Sequence, residues 1–134
     1  MSRTRATLAS ISMLIAAACA QTTTPTTSSP GLQVTDSFTG TLVQGGSATN
    51  DFTVTTDGAI SITLVSLSPQ GTITMGVGIG TPSAATCVVT QSQENVKVGT
   101  PITGTLTAGS YCVELYDLGN MAGSDTYAIN VVHS

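Results

Sequence analysis

Residues 111–115 read Tyr-Cys-Val-Glu-Leu and residues 127–131 read Tyr-Ala-Ile-Asn-Val, and these two stretches carry the strongest strand pattern in the chain. In both, every second side chain is apolar or aromatic, so one face can meet a core while the other meets water. The turn-forming dipeptide Gly119-Asn120 lies between them. The pattern predicts a closing pair of β-strands.

The same alternation recurs in short runs further up the chain. These runs are Phe38-Thr39-Gly40-Thr41-Leu42, Phe52-Thr53-Val54, Ile60-Ser61-Ile62-Thr63-Leu64 and Ile73 to Ile79. Residues 87–90 and 95–98 predict a further hairpin around the polar stretch 91–94. About eight short strands at this spacing predict an all-β sandwich or barrel.

The run from residue 73 to 79 has an unusual second face, because Gly76, Gly78 and Gly80 form most of it. So few side chains predict a strand that bends, bulges or lies beneath another segment. The turn signal Ser68-Pro69-Gln70-Gly71 precedes this run. Since Pro fixes φ and Gly permits positive φ, we expect this run and the one before it to be neighbours.

The composition of the chain allows a buried core and limits the kinds of partner that it can bind. Hydrophobic residues make up 40% of the 134 residues and charged residues only 7%. Beyond Arg3 and Arg5, the chain has Lys97 as its one Lys or Arg against seven acidic residues, a formal charge of −6. Because this surface repels phosphate backbones, we expect no nucleic-acid partner.

The first 20 residues have the layout of a signal peptide. Arg3 and Arg5 precede a mainly apolar stretch from residue 6 to 18, and small residues surround Cys19. This arrangement is typical of export signals and is too short to span a bilayer stably. We therefore expect an exported protein.

Two ways of processing this segment remain open. Ala18-Cys19-Ala20 fits an ordinary small-x-small cleavage site, which predicts free secretion. Residues 15–19, Ile-Ala-Ala-Ala-Cys, resemble the lipobox of bacterial lipoproteins. That resemblance implies a diacylglyceryl group on Cys19, a membrane as partner, and a place in the outer membrane and periplasm or on the cell surface.

A tether follows the export segment. Residues 21–31 read Gln-Thr-Thr-Thr-Pro-Thr-Thr-Ser-Ser-Pro-Gly, without a large apolar side chain and with two prolines. Such a composition is typical of a solvated, extended linker. The folded domain is therefore expected over residues 32–134.

The cysteine count points to one disulfide. Of three cysteines, Cys19 is removed by cleavage or carries lipid, which leaves Cys87 and Cys112 as a pair. An exported chain keeps such a pair oxidised. The enclosed loop of about 25 residues would add roughly 3 kcal/mol to the stability of the fold.

The end of the chain resembles a known family. Residues 104–117, Gly-Thr-Leu-Thr-Ala-Gly-Ser-Tyr-Cys-Val-Glu-Leu-Tyr-Asp, and then residues 127–131, resemble the closing strands of bacterial pre-peptidase C-terminal domains. In that family, a Gly-x-Tyr strand and a final Tyr-x-Ile/Leu-x-Val strand complete a jelly-roll-like antiparallel β-sandwich. Phe38-x-Gly40, Asp51-Phe52 and the strand at 60–64 fall in compatible order.

The resemblance covers most of residues 32–132 and implies an accessory, non-catalytic domain of exported proteins. We therefore expect a binding or scaffold module of the bacterial cell envelope that contacts a protein or polysaccharide there. Two alternatives remain open: an accessory domain or subunit of a secreted hydrolase or peptidase, and a purely structural envelope lipoprotein.

The residues that could support catalysis are few. His133 is the only histidine, and its penultimate position predicts a fraying tail rather than a fixed base. Lys97 is expected to keep a strand face soluble. Since no GxSxG, HExxH or P-loop pattern occurs in the sequence, we expect no catalytic residues and no enzyme.

Carboxylates cluster near the last turn. Asp117, Asn120 and Asp125 surround the connection between the two closing strands. Calcium prefers six to eight oxygen ligands, and loop carbonyls could complete such a set, so these residues form a candidate calcium site. Asp and Asn also stabilise turns through side-chain hydrogen bonds, and this second interpretation stays open.

Aromatic side chains are expected mainly in the core. Tyr116 is the exception, because it shares the parity of Cys112 and Glu114 and should face solvent. Exposed rings commonly stack on sugars, but a single ring makes a weak platform.

Overall fold

A computed structural model describes residues 31–134. These residues form eight β-strands, with no helix among them. The strands are β1 (Val34–Val43), β2 (Ser47–Val54), β3 (Gly58–Ser68), β4 (Met75–Ser83), β5 (Thr86–Val96), β6 (Pro101–Leu106), β7 (Gly109–Asp117) and β8 (Ser124–His133). The expected signal peptide with Cys19, and all of the expected tether but Gly31, lie outside the described residues. Within them, no helix is long and apolar enough to cross a membrane.

The eight strands form two four-stranded antiparallel sheets. The first has the order β1-β8-β3-β6 and the second has the order β2-β7-β4-β5. Only the connection from β4 to β5 stays within one sheet, and every other connection crosses to the opposite sheet. This is the strand order of a jelly roll with its two Greek keys. The expected all-β, jelly-roll-like sandwich of about eight strands is therefore confirmed.

Two expected pairings of neighbouring strands are wrong. The turn at residues 68–71 joins β3 to β4, and the turn at Gly119-Asn120 joins β7 to β8, but both turns lead into the opposite sheet. A turn signal shows where the chain reverses, but it does not specify which strand it then pairs with. Burial of both inner faces decides that, and it depends on the whole chain.

The expected hairpin in residues 87–98 is also wrong. β5 runs without interruption through the polar stretch 91–94, which contains neither Gly nor Pro to make a turn. Ten of its residues, Thr86 to Asn95, are exposed or only half-buried, so polar side chains there cost little. β6, which alternation alone did not identify, restores the count of eight.

The core lies between the two sheets and consists mainly of the alternating side chains that the sequence placed on one face. It includes Leu42, Phe52, Val54, Ile60, Ile62, Leu64, Leu67, Met75, Val77, Val113, Leu115, Tyr127, Ile129 and Val131. In β3 the register shifts between Leu64 and Ser66, and Val65 between them is 45% exposed. This bulge allows both Leu64 and Leu67 to point inward.

The two lateral edges of the sandwich differ. At one edge β1 packs against β2, and we refer to it as the closed edge. There the Tyr127 ring occupies the space above Gly40, and its hydroxyl accepts a hydrogen bond of 3.3 Å from Asn50 Nδ2 in the other sheet. At the opposite edge β5 and β6 scarcely contact each other, and we refer to it as the open edge.

Candidate functional site

A groove runs along the open edge between β5 and β6. Its larger part has a volume of about 200 Å³. The residues that line it are Ile62, Val77, Gly78, Ile79, Gln91, Ser92, Gln93, Ile102 and Thr103. A smaller part, of about 60 Å³, continues from Ile102 along β6 towards Leu106. The two parts share residues and form one continuous depression.

The groove combines an apolar floor with an uncharged polar rim. Ile62 and Val77, which come from opposite sheets, form the buried floor of the groove, and their side chains are 4% and 3% exposed. Gln91 pairs with Ile79 and Gln93 with Val77, so both glutamine side chains lie on the core side of β5. None of the lining residues carries a charge. Such a groove suits an uncharged, extended ligand that offers hydrogen-bond donors and acceptors.

A disulfide fastens the strand that forms one wall of this groove. The expected bond between Cys87 in β5 and Cys112 in β7 is confirmed, with 5.7 Å between their Cα atoms. β4 lies between these two strands in the sheet, so the bond crosses the end of β4. The β4–β5 ladder shifts register twice, and the covalent bond gives β5 a second attachment to the sheet, at β7.

The glycine face of β4 explains how the bond can cross. A Cβ on Gly80 would overlap the backbone carbonyl of Val88, so β5 passes directly over this glycine. Gly78 is covered by the side chain of Val89, and Gly76 by the ring of Tyr116. Of the expected possibilities, that this strand bends, bulges or lies beneath another segment, the last is confirmed. The extra residues of the two register shifts belong to β5, and the ladder of β4 with β7 is regular.

Asp117 organises the turn after β7. Its Oδ1 accepts hydrogen bonds from the backbone N–H groups of Gly119, Asn120 and Met121, at 2.9, 3.0 and 3.1 Å. Its Oδ2 accepts a hydrogen bond of 2.8 Å from the N–H of Gly45 in the β1–β2 turn. These donors, the Gly45 N–H foremost, lower the pKa of the Asp117 carboxyl group from its ordinary value.

The three residues of the candidate calcium site have separate partners. Asp117 receives the four N–H groups, whereas the Asn120 side-chain amide donates to the Thr74 carbonyl and hydroxyl oxygens, both at 3.3 Å. Asp125 is 1% exposed, and its Oδ1 accepts a hydrogen bond of 3.2 Å from Gln70. These contacts do not fit a shared ligand set, and for Asp117 they match the turn interpretation.

The buried Oδ2 of Asp125 has no hydrogen-bond partner among the described residues. Across residues 31–134, no group of three or more His, Cys, Asp and Glu side chains is placed to hold a metal ion. Calcium binding at Asp117, Asn120 and Asp125 stays a prediction.

The expected fraying tail at His133 is wrong. β8 extends to His133, which is 2% exposed and packs its ring 5.5 Å from that of Phe52. Its Nε2 lies 2.9 Å from Asp36 Oδ2, and its Nδ1 lies 3.2 Å from the Ser134 carbonyl oxygen. The Thr55 N–H also donates to the Ser134 carbonyl oxygen, so residues 133 and 134 are held against the residues that follow β2.

Sequence reasoning missed the groove. Its rim lies in residues 91–93, where polar side chains predicted a loop, and its far wall lies in β6. One available signal was a polar run of strand length without Gly or Pro, which is typical of an edge strand. The facing strand could not be found from the sequence, since β5 and β6 belong to different sheets.

No protein-family model matches the chain, and no curated protein matches it. The likeness of its closing strands to pre-peptidase C-terminal domains therefore rests on the residues quoted above.

Proposed function

We propose that this chain is a non-catalytic, exported binding module of the bacterial cell envelope, tethered through residues 21–31 and a lipid on Cys19. The groove at the open edge is the observation that carries the binding role. Export is supported by the Cys87–Cys112 disulfide, because such bonds persist in oxidising compartments. Residues 1–20, which have the layout of a signal peptide, also support export.

The chemistry of the groove indicates what it accepts. Its floor is formed by isoleucine and valine side chains, and its rim by glutamine, serine and threonine. β5 and β6 are both outer strands of their sheets, so each presents backbone N–H and C=O groups that no strand of the same sheet satisfies. An uncharged, extended segment of another envelope component can bury apolar groups and bond to these edges.

The anchoring part of the proposal is tested by metabolic labelling with an alkyne-modified fatty acid. We expect label on the wild-type chain and none on the Cys19→Ser variant, because only a thiol can take the diacylglyceryl group. A wild-type chain that is exported without label would contradict the lipid anchor and leave free secretion.

The binding part is tested by photo-crosslinking in intact cells. A photoreactive phenylalanine derivative in place of Gln93 should crosslink to an envelope component. The same derivative in place of Thr53 should not, since Thr53 is an exposed residue of β2 at the closed edge.

A blocking variant completes this experiment. A Cβ on Gly104 would lie 3.7 Å from Ile60, so Gly104→Val adds bulk to the groove without a severe clash. We expect it to suppress crosslinking from position 93 while the chain stays folded. Crosslinking of equal strength from both positions, or insensitivity to Gly104→Val, would exclude the groove as the binding site.

A further inference from the structure

The outer face of the second sheet presents one aromatic ring flat against the strand beneath it. A Cβ on Gly76 would overlap the Tyr116 ring atoms Cε2 and Cζ, so the ring lies directly over the Gly76 backbone. Tyr116 and Gly76 are register partners on neighbouring strands. One face of the ring is therefore covered by β4, and the half-buried side chain leaves the other face to solvent.

The surroundings of the ring extend this flat surface. Val89 lies over Gly78, the next glycine on the same face, and remains 37% exposed. Glu114 lies two residues before Tyr116 on β7 and on the same face, with Thr49 of β2 opposite it. Glu114 forms no ion pair within residues 31–134, so its carboxylate is free to accept hydrogen bonds from a ligand.

We propose that Tyr116 and Val89 form a platform that binds a pyranose ring of an uncharged polysaccharide, with Glu114 and Thr49 bonding to its hydroxyl groups. The face of an aromatic ring carries partial negative charge, and the axial C–H groups of a pyranose carry partial positive charge, so the two stack. Hydroxyl groups donate strongly to a carboxylate, which fixes the orientation of the sugar.

Charge selects among polysaccharides. The described residues carry seven acidic side chains against Lys97, and Glu114 belongs to the platform itself. Sulfated or uronic-acid polymers are repelled by this surface, whereas uncharged ones are not. The platform lies on the outer face of the sheet and the groove on its inner side, so this inference does not depend on the proposed role of the groove.

The test is affinity electrophoresis of the detergent-solubilised full chain in gels that contain laminarin, hydroxyethyl cellulose or galactomannan. Polygalacturonate serves as the charged comparison. We expect slower migration in at least one of the three uncharged polymers and none in polygalacturonate. No retardation in any uncharged polymer, or stronger retardation in polygalacturonate, would overturn the proposal.

Variants test the geometry of the platform. Tyr116→Ala should weaken association roughly tenfold, whereas Tyr116→Phe keeps the ring and should stay within about threefold of wild type. Gly76→Ala retains Tyr116 but places a methyl group where the ring lies, so it should weaken binding as Tyr116→Ala does. Far-UV circular dichroism of each variant verifies that the fold persists.

Gly104→Val separates this inference from the groove. It should leave retardation by uncharged polysaccharide unchanged, because Gly104 is on the inner side of the other sheet. Retardation that survives Tyr116→Ala, or that disappears in Gly104→Val, would assign glycan binding elsewhere and refute the platform.

Discussion

The closed edge and the open edge of this sandwich are held together by different means. At the closed edge, side chains from both sheets pack and form hydrogen bonds across the interior: Tyr127 with Asn50, and His133 with Phe52. At the open edge, polar β5 buries only Val96 completely and depends on a ladder with two register shifts and on the disulfide. Contacts between the two sheets fix the closed edge, whereas at the open edge β5 is held within its own sheet, by its ladder with β4 and by the disulfide to β7.

This difference shows how a small sandwich can be stable and still expose a binding surface. Stability within a domain is not uniform, and contacts with partners tend to occur where the burial of apolar groups is least. β5 has a polar, uncovered inner face next to Val77 and Ile79, and the disulfide attaches the same strand to β7. The following predictions test this contrast.

The largest loss of stability is expected at the closed edge. Phe52 is 5% exposed and its ring lies 5.9 Å from that of Tyr111 and 5.5 Å from that of His133. Phe52→Ala should lower the free energy of unfolding by about 3–5 kcal/mol, because it leaves a cavity in the core. Chemical denaturation measures the change.

The matched control for that experiment is Gln91→Ala at the open edge. Gln91 is exposed, so its truncation should change the free energy of unfolding by less than about 0.5 kcal/mol. Equal losses at the two positions would show that both edges depend on packing.

Removal of the disulfide should affect the open edge most. The bond closes a sequence separation of 25 residues. The double variant Cys87→Ser and Cys112→Ser should lose about 3 kcal/mol of stability on the chain-entropy model. Hydrogen exchange followed by mass spectrometry should show β5 amides losing more protection than those of β1 and β8. A uniform loss across all strands would contradict a local role for the bond.

Replacing either of two glycines on the inner face by alanine should change the stability of the fold, but in opposite directions. At the closed edge, a Cβ on Gly40 would lie 2.8 Å from the Tyr127 hydroxyl oxygen and 2.9 Å from its ring. Gly40→Ala should therefore lower stability by about 1–3 kcal/mol through overpacking.

At the open edge, Gly104→Ala has room and should raise stability by about 0.5 kcal/mol, because alanine loses less backbone entropy on folding. Thermal denaturation of both variants measures the pair. If Gly104→Ala were as destabilising as Gly40→Ala, the open edge would be as tightly filled as the closed one.

Apart from the Gln91→Ala control, the smallest effect is expected at Asp117, which joins the β1–β2 turn to the turn after β7. Its pKa is lower in the folded chain than in the unfolded one, so its contribution is present near neutral pH and is lost as the pH falls below about 4. Asp117→Asn should be less stable than wild type at pH 7, and the difference should shrink in acid. Melting temperatures of both proteins from pH 7 to pH 2 measure this difference. A difference that does not change with pH would contradict the stabilising role of the ionised Asp117 carboxylate.

The local features of this fold could be predicted from the sequence. Alternation placed Ile60, Ile62, Tyr127 and Ile129 on core faces, and all four are buried. The cysteine count gave the Cys87–Cys112 bond, and the glycines of β4 indicated a strand covered by other segments. Each of these inferences depends on a period of two or on residue type, and neither requires knowledge of the partner strand.

Strand partners, the burial of His133 and the candidate site were decided only by the tertiary structure. Alternation shows which side chains share a face, but it does not show which distant strand completes the ladder, so β3 and β4 were expected together although they lie in opposite sheets. The groove exists because β5 and β6, which do not pair with each other, are the outer strands of opposite sheets and lie side by side. Pairing is set by the burial of both inner faces at once, which is a property of the whole chain and not of any local stretch.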